Sequence, residues 1–346
     1  MPRPCVHPPY AEVKIFMPSD CYIRSFGAYV PERILTNDDL AAMVETSDEW
    51  ISSRTGIKRR HILADGERVS DAGAHAAREA LAEAGLTPSA VTHLLFGTCT
   101  PDQLCPSTAC IAAAKLNILS RAMTYDFNAA CSSFLFGLFQ SRALLAVEAD
   151  ARILLICAEG LSRRLNWQDR STCVLFGDGA GAVVLSNRKE GSLARLEDVI
   201  CATDGSLWEL INMGGGSARR YELGAAVEED FFLSMQGREV YKHAVRNMAQ
   251  VCRDILARNA LGVEDVQLLV PHQANMRIIE AVGSRLGFPA ERVFTNLSDY
   301  GNTSAASVPL ALYDARKQGR MPSGTRVLMT TFGSGLTWAA ALLRME

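Results

Sequence analysis

The chain has 346 residues, 48% of them hydrophobic and 21% charged, with a formal charge of −3 and a pI near 6.1. That balance excludes disorder over most of the length and a global attraction for nucleic acid, so any anionic ligand must be held by a local basic patch. Ten cysteines form no CxxC pair and no regular spacing with histidine, which disfavours a structural zinc site and a disulfide framework and fits a reducing cytoplasm.

Prolines crowd the first nine residues, and residues 1–20 are expected to form a flexible extension, with the fold starting near Cys21. Neither this segment nor a later one carries the uncharged apolar run of a leader peptide or a bilayer span, so a membrane location is not expected. The stretch SDAGAHAAREALAEAG then predicts an amphipathic helix, followed by LTPSAVTHLLFGTCTP, another helical run, and YDFNAACSS. From Cys131 to Leu145 the next helix has no polar face before Gln140 and Arg142, the pattern of a helix buried between layers. The second half repeats this order: EVYKHAVRNMAQVCRDILARNA, LGVEDVQLLVPHQAN, a helix through Arg285, VFTNLSDYGNTSAAS and a last helix. Each half closes on a glycine turn entering a small-residue strand, FGDGAGAVVL at Phe176–Leu185 and FGSGLTWAAALL at Phe332–Leu343. Two βαβ-rich halves, residues 21–190 and 191–346, packed about a pseudo-twofold axis are therefore expected, with two unrelated α/β units as the alternative. The GDGAG run lacks the GxGxxG spacing and precedes a strand, so it predicts close backbone packing rather than a dinucleotide site. His61, His75 and His93 have no ligand-like spacing, and no metal is expected.

Cys131 stands where the strand-like TYDF passes through small turn residues into the apolar helix. A helix N-terminus there would favour the thiolate and make Cys131 a nucleophile, with core packing as the alternative. If the repeat is real, the matching loops of the second half, PHQAN and YGNTSAAS, face it. His272 and Asn302 could then direct N–H donors at one point beside the sulfur, an arrangement suited to an oxyanion or enolate.

With these residues in view, the chain from about Cys21 to Glu346 resembles the β-ketoacyl-acyl-carrier-protein synthase III family of the thiolase superfamily. The likeness rests on TSDEWISSRTGIKRRH, AACSS, DRSTCVLFGDGAGAVVL, VPHQANMRI, GNTSAASVPLAL and FGSGLTWAAALL, in that order. The resemblance implies an α/β, thiolase-like five-layer αβαβα fold and a cytoplasmic homodimer with a Cys131–His272–Asn302 triad. It implies an acyltransferase that condenses an acyl-CoA primer with malonyl-acyl-carrier-protein and starts fatty-acid synthesis, needing no cofactor beyond the coenzyme A thioester. By the same likeness, the amides of Cys131 and Ser334 form the oxyanion hole, and Trp50, Arg54, Arg170 and Asn275 hold coenzyme A. Lys242, Arg277 and Arg285 receive the acidic carrier protein, weakened where Ser284 replaces a lysine of some relatives. Phe332 and Cys105 shape the acyl pocket, Cys105 standing where some relatives place a phenylalanine that crosses to the partner subunit. Thiolases need a second cysteine in the last glycine loop, and elongating ketosynthases a second histidine at the Asn302 position; neither is present. Primer length stays open, as do a specialised polyketide or quinolone-type condensing role and a non-catalytic carrier-binding role.

Overall fold

The computed structural model describes residues 20–118, 121–217 and 229–346. The extension expected over residues 1–20 thus lies, but for Asp20, outside the described residues. The fold opens with β1 (Tyr22–Tyr29) and a small hairpin, β2 (Arg33–Thr36) and β3 (Arg59–Ile62), that encloses α1 (Asn37–Ala41) and α2 (Asp48–Thr55). Helix α2 starts on a Ser47 hydroxyl that accepts the Trp50 amide at 3.1 Å and stops at Gly56, whose φ of 80° is the left-handed conformation glycine adopts freely. There follow α3 (Val69–Glu83), β4 (His93–Gly97), α4 (Thr108–Leu116), β5 (Met123–Phe127), α5 (Ser133–Val147), β6 (Ile153–Glu159), β7 (Gly179–Ser186) and β8 (Ala194–Thr203). The short strands β9 (Ile211–Asn212) and β10 (Ser234–Met235) pair with each other. The remainder comprises α6 (Gly237–Arg258), β11 (Leu268–Pro271), α7 (Met276–Leu286), α8 (Leu297–Tyr300), α9 (Ser307–Lys317), β12 (Arg326–Gly333) and β13 (Thr337–Met345).

Nine strands form one mixed sheet in the order β11-β12-β13-β8-β1-β7-β6-β4-β5. The first half supplies β5-β4-β6-β7-β1, with β4 parallel to β5 and β6, and β7 antiparallel to both of its neighbours. The second supplies β11-β12-β13-β8 with the same senses, and a parallel bridge between Leu269 and Val293 stands where β5 would pair. Among the described strand pairs, Tyr22–Arg195 and Ile23–Ala194 join the two halves of the ladder, so the sheet layers of the expected five-layer fold are continuous through a two-residue seam. Alternation along each strand then builds the layers. Leu94, Phe96, Leu154 and Ile156 turn outward to α3 and α4, while Leu95, Ile153, Leu155 and Cys157 turn inward to α5 and α9. In the second half, Leu269, Leu328, Ala340 and Leu342 face α6 and α7, and Val270, Val327, Met329 and Ala341 share the middle layer.

Two sequence expectations need correction here. By length and composition, Ala130–Val147 is apolar enough to cross a bilayer. Half of that stretch is buried, and its apolarity is spent on the middle layer, where Phe134, Leu135 and Leu138 are inaccessible. Nor is α5 enclosed on every side: Phe139 is 40% exposed and Val147 82%. The GDGAG run packs as expected, because a Cβ on Gly181 would meet Pro309 Cβ at 2.6 Å and one on Gly177 the Tyr300 carbonyl at 2.4 Å.

Arg60 is buried whole beside this region. Its Nη1 donates to Asn37 Oδ1 at 2.8 Å and Leu35 O at 3.3 Å, and its Nη2 to Val174 O at 2.7 Å. No carboxylate pairs with it among these bonds, and burial pulls the guanidinium down to about 10. It thereby ties the β2–β3 hairpin to the Val174–Gly177 segment. Replacing Arg60 by Leu strands three buried acceptors at about 1–3 kcal/mol each and is expected to cost about 3 kcal/mol or more in urea unfolding. A loss below about 1 kcal/mol would show that water or repacking satisfies them.

Candidate active site

Strand β5 delivers the chain to Asn128–Ala130, and Ala130 takes a left-handed φ of 47° that aims the next residue into the interior. Cys131 lies in a single 3₁₀ turn, Ala130–Ser132, ahead of α5. The turn is stapled by the Ser133 hydroxyl, which accepts from Ala129 N at 3.0 Å and donates to Ala130 O at 2.8 Å. Cys131 Sγ donates to Ser304 Oγ at 3.4 Å. Burial pushes its thiol up to about 12; the Ser304 bond opposes the shift and the charge of Glu159 adds to it. This corrects the expectation that the helix start favours thiolate, because desolvation outweighs the donors near the sulfur.

His272 follows β11 directly, anchored by its amide on Thr330 O at 2.8 Å. Its Nδ1 meets Ser307 Oγ at 2.5 Å, at the first residue of α9. A ring that accepts the Ser307 hydroxyl at Nδ1 carries its proton on Nε2, and His272 lines the cavity. Burial pulls the imidazole down to about 3, so it is neutral at pH 7. Asn302 follows Gly301 after α8 and is clamped on both sides of its backbone, by Leu175 O at 2.8 Å and Gly177 N at 3.1 Å. Its Oδ1 accepts the Ser304 amide at 2.8 Å, which leaves Nδ2 as the group it offers. Cys131, His272 and Asn302 all line one cavity of 1330 Å³.

The β12–β13 turn closes the site from the second half. A Cβ on Gly333 would stand 2.8 Å from the Cys131 amide nitrogen, so only a glycine backbone can approach this closely. Thr337 Oγ1 reaches Ala129 O at 3.0 Å and Ser334 O at 3.1 Å, tying the two turns together. Ser334 lines the cavity and donates its hydroxyl to Ile211 O at 2.5 Å; Phe332, 4% exposed, lines it too.

At the mouth stand Trp50, Arg54 and Arg170. Both guanidiniums lie 4.6 Å from the Trp50 ring centroid, and Arg170 also donates to Glu45 O at 2.7 Å. That is direct cation–π contact, so two of the residues expected to hold coenzyme A lie against each other, and a planar base fits between Trp50 and Arg170 only once Arg170 swings away. Asn275 lines the cavity and caps α7, its side chain accepting Arg277 N at 2.9 Å. Lys242, ion-paired with Glu239 at 2.7 Å, and Arg277, bonded to Ser53 O at 3.3 Å, share this rim. Arg285 is exposed one helix length away and does not line the cavity. Cys105 is exposed in the loop before α4; its neighbours Gln103 and Leu104 line this chain's cavity and it does not.

Sequence reasoning missed Ser304, Ser307 and Glu159. The serines sit inside the GNTSAAS motif, and a glutamate ending the wholly apolar strand ILLICAE was the available signal for the third.

Comparison with known proteins follows this geometry. Residues 125–205 match the family model for 3-oxoacyl-[acyl-carrier-protein] synthase III, and residues 256–345 the model for its C-terminal part. A β-ketoacyl-[acyl-carrier-protein] synthase III of Nitratidesulfovibrio vulgaris, strain Miyazaki F, is 59% identical over 323 residues, 93% of this chain and 97% of the relative. The crystal structure of the Aquifex aeolicus 3-oxoacyl-[acyl-carrier-protein] synthase III superposes with a TM-score of 0.86 at 42% identity, covering 94% of this chain and 99% of that one. The corresponding Pseudomonas aeruginosa structure gives 0.85 at 39% identity, over 94% and 98%. With a cysteine, a histidine and an asparagine gathered on one cavity floor of the matching thiolase-type fold, the chain belongs to the 3-oxoacyl-[acyl-carrier-protein] synthase III family of acyltransferases.

Proposed function

We propose that Cys131, His272 and Asn302 carry out the decarboxylating condensation of an acyl-CoA primer, acetyl-CoA in the first instance, with malonyl-acyl-carrier-protein. The products are 3-oxoacyl-acyl-carrier-protein, coenzyme A and carbon dioxide, and the reaction opens fatty-acid synthesis. The observation that supports these roles most is the convergence of the three side chains on the floor of one cavity whose mouth carries Trp50, Arg54 and Arg170. In the first half-reaction, Cys131 attacks the primer thioester and becomes acylated, which divides one difficult step into two. Ser334 and Cys131 supply backbone N–H donors to the oxyanion. In the second, malonyl thioester enters and loses its carboxylate, and the electrons left on the α-carbon spread onto the thioester oxygen. A neutral Nε2–H and a carboxamide Nδ2–H stabilise that charge without competing for it as acids would. The enolate carbon then attacks the acyl-Cys131 carbonyl, and the cysteine sulfur departs.

Coenzyme A enters past Trp50 once Arg170 swings out, its phosphates meeting Arg54 and its pantetheine arm passing Asn275. The acidic carrier docks on Lys242 and Arg277, with Arg285 at the margin. The molecule works as a cytoplasmic homodimer in this reading. Among the described residues β5 is an outer strand with a free edge, and Met123 at its start is 46% and Phe139 of α5 40% exposed, a face that a second copy would cover. In such a pair Leu104 and Cys105 would reach toward the partner's acyl pocket.

Cys131→Ala is expected to abolish the acyl-enzyme seen by intact mass after incubation with an acyl-CoA panel. His272→Ala and Asn302→Ala are expected to acylate but to release carbon dioxide from malonyl carrier protein about a hundred- to a thousandfold more slowly. An Asn302→Ala protein that decarboxylates normally yet cannot be acylated would remove Asn302 from the enolate site.

The pH dependence follows from the imidazole. A base held down at about 3 stays neutral as pH falls from 8 to 5, so decarboxylation by the pre-acylated enzyme is expected to be flat across that window and to fall only nearer pH 3. An inflection near 6.5 would mean that His272 acts as an ordinary, solvent-coupled histidine.

Carrier docking on a few rim cations of an acidic protein is expected to be salt-sensitive. Arg277→Ala should raise the apparent KM for malonyl carrier protein several-fold and leave that for acyl-CoA unchanged. Parallel increases in both constants would locate Arg277 in the coenzyme A path instead.

A further inference from the structure

The proton of Cys131 has a continuous path to a buried carboxylate. Cys131 Sγ–H donates to Ser304 Oγ at 3.4 Å, and Ser304 Oγ–H donates to Glu159 Oε1 at 3.2 Å. The Glu159 carboxylate is wholly inaccessible, at the end of β6. Its Oε2 accepts Thr98 Oγ1 at 3.1 Å, Thr100 N at 3.1 Å and Thr100 Oγ1 at 2.5 Å, and the Cys99 amide approaches Oε1 at 3.1 Å. Ser304 is fixed in turn, with a left-handed φ of 50° and its amide on Asn302 Oδ1. The groups facing the carboxylate are Thr98, Cys99 and Thr100 from the loop after β4, Ser304 from the turn before α9, Cys131 from the nucleophile turn and Cys157 from its own strand. All of these are neutral, and burial raises the carboxyl above the usual carboxylate range, as a proton acceptor requires.

We propose that Ser304 and Glu159 form a proton relay that deprotonates Cys131 during acylation, Ser304 as a catalytic residue touching the reacting sulfur and Glu159 as the base acting through it. This rests on the reading of Cys131 as the acylated nucleophile. As the Sγ–C bond forms to the thioester carbonyl, the thiol proton moves to Ser304 Oγ and the serine proton moves to Glu159. The carbonyl π electrons pass to oxygen. When the tetrahedral adduct collapses, the C–S bond to coenzyme A breaks, and the proton on Glu159 returns through Ser304 to the departing sulfur. Acyl-Cys131, coenzyme A thiol and the original carboxylate result, with no outside reactant. The relay assigns work that the neutral, donating His272 does not do, and divides the site between the two half-reactions.

Glu159→Gln decides between two opposite outcomes. If Glu159 were only a nearby negative charge, its loss would ease ionisation of Cys131 and speed alkylation of the thiol by iodoacetamide. A relay base predicts the reverse: alkylation and single-turnover acylation by acetyl-CoA slower by about a hundred- to ten-thousandfold at pH 7, rising with hydroxide up to pH 9 where the wild type is level. Ser304→Ala, which keeps the amide bond to Asn302, is expected to behave alike and serves if Glu159→Gln does not fold. Decarboxylation by either protein, once acylated by prolonged incubation, should be slowed at least tenfold less than acylation. Alkylation that is faster or unchanged in Glu159→Gln, or equal losses in both half-reactions, would overturn the relay. Wild-type protein that is alkylated at Cys131 but acylated by no acyl-CoA would instead overturn the functional reading on which the relay rests.

Discussion

At the centre of the molecule two backbones meet with no side chain between them. Where a Cβ of Gly333 would lie, the amide of Cys131 already stands, 2.8 Å away. This approach brings the turn of one half against the turn of the other, and everything chemical is arranged around it. Thr337 fixes the spacing by reaching both Ala129 O and Ser334 O. The sulfur shares its cavity with His272 and Asn302. A close backbone contact of this kind is stiff, because neither strand can shift without breaking ladder hydrogen bonds in β12 and β13 over eight residue pairs.

The second constraint is electrostatic. Desolvation drives the thiol up to about 12 and the imidazole down to about 3, so both groups are neutral at pH 7. Among Cys131, His272 and Asn302 charge therefore appears only while bonds are being made, and the fixed N–H donors meet it without first reorganising. Around the neutral floor the charged groups are placed in order of depth. Glu159 lies beneath, fully hydrogen-bonded, Arg60 is walled into the neighbouring hairpin, and Arg54, Arg170, Lys242 and Arg277 stand at the rim. Arg60 matters here at one remove, because Val174 O, which it holds, precedes the two residues that clamp the Asn302 backbone.

Local patterns in the sequence carried the layers and the positions of Cys131, His272 and Asn302. Period-two burial in LLVP and ILLICAE and the apolar run of α5 are properties of neighbouring residues, and so they can be read along the chain. What escaped depends on pairs far apart in sequence. Glu159 and Ser304 are 145 positions apart, and Arg60 and Val174 are 114. No periodicity announces either pairing. The expectation of a thiolate failed for a related reason: a helix start is visible in sequence, whereas the depth of burial that overrides it is a property of the assembled halves. Trp50 and Arg170, 120 residues apart, were brought to one site by the family likeness and not by any local pattern.

The two halves share one strand order but not one outer edge. In the first, β5 is a full strand with five paired positions on β4; in the second the same place holds the single Leu269–Val293 bridge. The two halves thus differ at their rims. The first has a complete edge strand, whose outer side pairs with no other strand among the described residues, the kind of edge that invites association with another molecule. The other holds only that bridge, and the chain beyond Val293 runs through α8 to the loop that carries Asn302. The complete edge and the nucleophile thus meet on one element: β5 offers its outer side to a neighbour and leads from its end into the turn of Cys131, so a molecule seated on that edge would bear on the strand that positions the sulfur.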